Sequence, residues 1–343
     1  MKKPLISLIA LTASVASANA LAASNMENPL YMPQNREVYL KPAVAIMYKT
    51  VEGTKATEKK GTSGQEEFPV WRFFGDIGYG ITDRLDVHGR FGYTRDNEIN
   101  RKGMHRGRIG LTYRVLTEEA PFVLDLYGDA YLSGISPMKG TYTAKGFDFA
   151  NYSNGRWGAI FGTRFGKTWN DFTLAAHVEY LQTFGNHNNK IAIDPGVMVP
   201  TGLPAPYDYV SIAATGFPSE IEVNLKSTHE TVAGFDAMYQ MNKKWSLGAG
   251  FEYIEHSDNG VKSIHTQLPN EASQKIAAVL LEQTKDMDDG WDEYVIKTSV
   301  AYQMTDDVQF SMFFEYTLDD AHAQSQNATD TKMELGIRMG ARF

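Results

Sequence analysis

The last twelve residues, KMELGIRMGARF at 332–343, alternate without a break. Met333, Leu335, Ile337, Met339, Ala341 and Phe343 form one set; Lys332, Glu334, Gly336, Arg338, Gly340 and Arg342 form the other. Successive side chains of a strand point to opposite faces, so each set belongs to its own side of a strand. A soluble sheet can alternate as well, but it seldom sets two arginines, a lysine and small residues so regularly along one face. This stretch decides the reading of everything upstream.

The same period recurs along the chain. Trp71, Phe73, Gly75, Ile77 and Tyr79 alternate with Arg72, Phe74, Asp76 and Gly78. After the polar turn Ile81–Arg84, Leu85, Val87, Gly89, Phe91 and Tyr93 alternate with Asp86, His88, Arg90 and Gly92. That spacing is a hairpin with a tight connection. Further tight turns fall near 117–121, 169–171, 242–244 and 305–307. Longer, polar, irregular links occupy 51–67, 95–104, 134–153, 185–221, 257–290 and 318–330, so short turns and long loops alternate strictly. The strands expected from this are 37–49, 68–80, 84–95, 104–116, 121–133, 154–168, 172–184, 222–241, 245–256, 291–304, 308–318 and 331–343. A hairpin hidden around Tyr207–Ala213 would raise the count of about 12 strands to fourteen. An even count returns both termini to one side.

Composition narrows the class. Beyond the N-terminus no run of about 18 apolar residues appears, which excludes a helical membrane protein. Aromatics make up 12% of the chain and there are 30 glycines, while apolar and polar positions cancel on average. A lipid-facing and lumen-facing alternation produces that average. Without cysteine there is no disulfide and no thiolate metal site. A net charge of −8 disfavours nucleic acid as a partner and provides no polybasic membrane patch. The chain opens on Met1-Lys2-Lys3, runs apolar or small to about Ala18, and continues Asn19-Ala20-Leu21-Ala22-Ala23. This reads as a secretory signal peptide cleaved after Ala22, with Ala20 the alternative.

A last strand of alternating apolar residues closing on Phe343 resembles the assembly signal of bacterial outer-membrane β-barrel proteins. The resemblance implies an all-β, transmembrane antiparallel up-and-down barrel with short periplasmic turns and long extracellular loops. Its partners would be outer-membrane lipid, lipopolysaccharide and the barrel assembly machinery. The expected organisation is a signal peptide at 1–22, a short periplasmic segment at 23–36 and the barrel at 37–343. Outward aromatics near strand ends, among them Tyr79, Tyr93, Tyr113, Trp157, Trp169, Phe172, Tyr180, Tyr239, Trp245, Tyr253, Tyr294, Tyr302 and Tyr316, read as two interfacial girdles.

The inward face is where chemistry would sit. Strands twelve, one to four and six send in Lys41, Arg72, Arg90, Arg106, Arg108, Arg114, Arg156, Arg164, Arg338 and Arg342. Strands five and seven to eleven send in Asp125, Asp129, Glu179, Asp236, Glu252, Glu293 and Glu315, while Asp76, Asp86, Glu334 and Lys297 break the segregation. Opposed walls of charge would favour small polar or charged solutes, anionic ones included. The alternative is that these charges pair and brace a filled lumen. Two links bear on the bore. The link at 185–221 carries five prolines and the apolar Ile191, Val197, Met198, Val199 and Leu203, so it is expected to fold into the mouth as a constriction, the alternative being a surface cap or a partner-binding loop. In 257–290, Asn270 ahead of Gln274–Gln283 reads as a capped amphipathic helix.

Two enzymatic resemblances are weaker. Asn151-Tyr152-Ser153-Asn154-Gly155-Arg156 resembles the His-x-Ser-Asn-Gly segment of outer-membrane phospholipase A, but asparagine stands where the histidine base belongs. Asp286, Asp288, Asp320 and His322 resemble the paired acids and Asp–His of omptin proteases. The function expected is a channel for small hydrophilic solutes, with no catalytic residues, no cofactor and no metal. A hydrolase with a loop-borne site and a closed barrel whose loops bind a partner are the alternatives.

Overall fold

In a computed structural model the described residues are 25–50, 70–96, 101–104, 107–132, 139–143, 146–149, 156–185, 189–200, 209–258, 260–284, 290–319 and 331–343. The long strands are β1 (Val38–Thr50), β2 (Val70–Thr82), β3 (Leu85–Asp96), β4 (Arg101–Met104), β5 (Arg108–Leu116) and β6 (Val123–Tyr131), then β9 (Arg156–Trp169) and β10 (Phe172–Gly185). They continue with β15 (His229–Gln240), β16 (Trp245–His256), β18 (Trp291–Gln303), β19 (Val308–Asp319) and β20 (Thr331–Arg342). All belong to one antiparallel sheet in which β1 pairs both β2 and β20, and β2 pairs β3, so the sheet closes on itself. With β4 and β5 as one broken stave, the ring has the expected twelve. The seam is backbone-bonded at its foot: Val38 N–H donates to Phe343 O at 3.0 Å, and Phe343 N–H to Val38 O at 2.9 Å.

Register follows the alternation. Val44 faces Ile337 and Ile46 faces Leu335 on one side, while Ala43 faces Arg338 and Ala45 faces Arg72 on the other. The first side is the outside: Phe73, Phe161, Leu111, Leu335 and Ile337 are exposed there with no protein against them. An apolar belt of this kind is stable only against lipid. Rings gather at its edges, with Trp169 stacked on Phe172 and Trp245 packed on Tyr302 at the short-turn end, and Tyr253 against Tyr294 at the other. The β9–β10 turn is a two-residue link, and Asn170 takes the positive φ of 51° that such hairpins require.

The long links build a second structure. The span expected as one strand at 222–241 is split into β14 (Glu220–Leu225) and the barrel strand β15. β14 joins β7 (Lys139–Thr143), β8 (Gly146–Phe149), β11 (Asn189–Ile193) and β17 (Val261–Ile264) in a five-stranded sheet outside the barrel. The sheet's order is β17-β14-β11-β7-β8, with β11 parallel to β7. Helix α1 (Glu271–Thr284) lies on this sheet, capped as its sequence suggests by Asn270 Oδ1 accepting from Ser273 N–H at 2.8 Å. Ser273, Ile276, Ala277, Leu280 and Thr284 are buried at helical spacing. Ile191, Val197 and Val199 pack there with Ile221, Val223, Leu225 and Val261. Ile191, Val197 and Val199 of the 185–221 link, expected as a constriction, therefore complete the core of a cap, whereas Met198 is exposed and Leu203 lies outside the described residues. The β12 (Met198–Pro200) and β13 (Tyr209–Ser211) hairpin stands apart from the barrel, which excludes the fourteen-strand count.

Of the short periplasmic segment expected at 23–36, residues 25–33 are placed inside the ring at the short-turn end, and Gln34, Asn35 and Arg36 are exposed at its rim. Asn25, Met26, Asn28, Leu30 and Met32 are buried.

Candidate functional site

The site is the lumen, built by inward positions of the staves and by the segment that crosses it. Asn25 donates to Gln240 and Ser246 and accepts from Gln309, tying the segment to β15, β16 and β19. Arg338 of β20 donates to Glu27 Oε2 at 3.0 Å, and Ser311 approaches the same carboxylate. Lys41 Nζ donates to Met26 O and lies 5.1 Å from the centre of the Tyr31 ring. On the opposite side Arg114 Nη2 donates to Leu30 O at 2.7 Å, and Leu30 packs on Val123 and Ala175. The segment thus touches staves all round the ring. Lys41, Arg164 and Arg338 stand several residues in from the short-turn rim, so the seat lies within the lumen.

Two glycines make room for it. A Cβ on Gly80 would collide with the carbonyl of Gln34, and one on Gly340 would meet the Met26 side chain at 2.9 Å. Burial by itself would raise the Glu27 carboxyl, but the charges of Arg338 and Lys41 outweigh it and hold the group below the usual carboxylate range.

Above the segment the charges form a network. Arg90 grips Asp76 through Nε at 2.5 Å and Nη2 at 3.3 Å. Asp125 takes Arg114 Nε at 2.8 Å and Arg164 Nη2 at 2.6 Å. Arg108 bridges Asp129 at 3.5 Å and Glu179 at 3.0 Å, and Arg72 binds Glu334. Lys297 binds Glu252, and Lys332 reaches Glu293 at 2.8 Å. Three histidines each stand between two carboxylates on different strands. His88 bridges Asp86 and Asp129 at 3.1 and 3.0 Å, His177 bridges Asp236 and Glu252 at 3.5 and 3.2 Å, and His256 bridges Glu230 and Glu293 at 3.1 and 3.7 Å.

The structure distributes the expected lumen residues unevenly. Arg72, Arg90 and Arg108 face open interior, and Arg164, about a quarter exposed, also reaches the Tyr31 carbonyl of the crossing segment at 3.5 Å. Lys41, Arg114 and Arg338 hold the crossing segment. Arg156 is buried and donates to the Lys226 carbonyl at 2.8 Å, so it braces the root of the cap. Arg342 ends at the short-turn rim on Asp307 at 3.2 Å. Among the acids, Asp125, Asp129 and Glu252 each take a cation from a neighbouring stave, while Glu293 takes Lys332 from two staves away and Glu179 takes Arg108 from three, so the two walls interlock instead of opposing each other. Glu315 stands opposite Lys297 in register, and Asp236 is next to His177. Sequence reading passed over Glu27, Glu230, Lys332 and the three bridging histidines as partners. Their inward parity was visible, since His88 shares the face of Asp86 and Arg90, but apart from Asp86 the acid partners of the histidines lie on other strands. Arg106, Ser153, Asp286, Asp288, Asp320 and His322 lie outside the described residues.

No protein-family model matches this sequence, and no curated protein matches it. Solved structures do. An outer-membrane channel from Pseudomonas putida F1 is 11% identical, with a TM-score of 0.56 over 93% of this chain and 99% of its own. The NanC porin is 8% identical over 86% and 98%, at a TM-score of 0.39. An outer-membrane protein of Vibrio cholerae, OmpT, is 8% identical over 91% and 99%, at 0.38. The ring, the lipid-type belt and the first of these likenesses define the class: this is the fold of bacterial outer-membrane β-barrels, with twelve staves.

Proposed function

We propose that this protein is an outer-membrane channel for small hydrophilic solutes, with its long loops outside the cell and its N-terminal segment closing the periplasmic mouth. The observation that supports this reading is the seat of residues 25–33. A charged, water-accessible interior would conduct, and a segment held across its foot by polar bonds is a stopper that can withdraw. The segment is joined to β1 only at its C-terminal end, so it can leave the lumen without unfolding any stave.

A disulfide tests the reading, because the chain has no cysteine of its own. A Cβ on Gly340 would lie 3.8 Å from that of Met26, the usual separation across a disulfide. In a planar bilayer, Met26→Cys/Gly340→Cys is expected to conduct only after reduction, and the parent to be indifferent to reductant. Equal conductance in both redox states would remove the stopper from the proposal. A parent chain that inserts with verified barrel structure yet never conducts would remove the channel.

A further inference from the structure

Acids and bases in the lumen are nearly balanced, yet they are not equally placed. In the ion pairs that line the interior the cation faces the bore and the carboxylate lies against the wall. Arg108 keeps 24% of its side chain exposed while Asp129 keeps none, and Arg164 keeps 26% over a fully buried Asp125. Arg72 and Glu334 stand at 24% and 6%, and Arg90 and Asp76 at 43% and 18%. Lys332 over Glu293 and Lys297 over Glu252 repeat the order. The cause is length. A short aspartate ends close to its own strand, and Asp129 lies along the wall over Gly110 of the next stave, where any Cβ would strike it. An arginine reaches past its partner and carries its outer N–H groups into the interior.

From this asymmetry we infer that the bore is selective for small oxyanions, carboxylate or phosphate in kind; the inference rests on the channel reading. A solute meets guanidinium groups first, and the neutralising carboxylates lie behind them. Arg90 and Arg164 each bond their aspartate through Nε and Nη2, and among the described residues no hydrogen bond reaches either Nη1. These donors are in a planar fork suited to an oxyanion. Arg90 and Arg108 are register partners on adjacent staves, so two guanidinium groups project from neighbouring positions of one face. Two acids are the exceptions: Glu179, 19% exposed against 24% for its partner Arg108, and Asp236, 32% exposed beside His177 and Lys297 and within reach of the Arg164 charge. The buried carboxylates keep the arginines extended and prevent a tight, trapping anion site; fast passage needs weak binding at several places.

The test is the reversal potential of the whole mature chain in a potassium chloride gradient, repeated with acetate and with phosphate replacing chloride. The expected result is anion preference of severalfold. It should fall toward unity in Arg90→Gln/Arg164→Gln and rise in Asp236→Asn. Both arginine changes leave the aspartate a second cation, Lys41 opposite Asp76 and Arg114 on Asp125, which keeps the barrel foldable. Conducting channels that prefer potassium, or a preference unmoved by the arginine pair, would overturn the inference and leave the channel standing. A silent bilayer would overturn both.

Discussion

The two ends of this barrel carry structures built by opposite means. At the loop end, three links fold into a sheet and a helix around buried Ile191, Val223, Leu225 and Leu280. At the short-turn end a single irregular segment is held by side chains of the wall, with only Leu30 in an apolar cluster. An apolar core is cooperative and local: its residues bury one another, and the barrel is only its platform. A polar seat owes its energy to partners on many staves, each worth on the order of 1 kcal/mol net. The first kind of packing belongs to the fold; on the proposed channel reading, the second is the one expected to release without melting anything else.

That contrast can be broken from either side. The largest effect is expected from Leu280→Ala, about 2–5 kcal/mol for a buried leucine in a packed core. The loss should be confined to the cap, appearing as faster proteolysis in 189–284 while the barrel keeps its heat-modifiable migration and its conductance. A conductance change of the same size would show that the cap closes the bore too. Next comes Glu27→Gln, which leaves Arg338 without its countercharge in a largely enclosed place. A cost of about 2–3 kcal/mol is expected, the low side for one broken partner of a buried pair because both side chains keep some exposure. At about 1.4 kcal/mol per tenfold, the withdrawn segment should become roughly a hundred times more populated, read as longer open times.

Acid should do to the parent what that substitution does at neutral pH. The Glu27 carboxyl is held down in the seated state, so its contribution is fully present above the ordinary glutamate range, near about pH 4.3. It is lost as pH falls through the lower, seated value. Openings should lengthen only in that acid window, and Glu27→Gln should be indifferent to it. The smallest effect is expected of Asn270→Ala, about 1 kcal/mol for a lost helix cap, seen as fraying of 271–274 by hydrogen exchange.

How far the sequence led differs between the two regions as well. The staves were readable because parity is local: Lys332–Phe343 or Leu85–Tyr93 carries its own inside and outside. The cap helix was readable from Asn270 and its apolar spacing. What parity cannot give is partnership. Arg338 has inward parity in the sequence, yet its carboxylate is on residue 27, in a stretch with no alternation to mark it. Arg156 has inward parity too, but it sits where the stave leaves the barrel, and the Lys226 carbonyl takes it. The apolar link at 185–221 was seen to need a shelter, and β14, hidden in what reads as one long strand, supplies it.

The seam carries a consequence for the order of events. Val38 and Phe343 exchange backbone bonds, so the first and last staves meet only when the sheet has come full circle. The seat of the N-terminal segment draws on pairs separated by 284 and 311 residues, Asn25 with Gln309 and Glu27 with Arg338. Contacts that distant in sequence are the slowest to reward the entropy of bringing their partners together. Until β19 and β20 arrive, the Gln309 and Arg338 contacts of the seat do not exist. The segment is therefore expected to settle last, so that a filled seat certifies a finished ring.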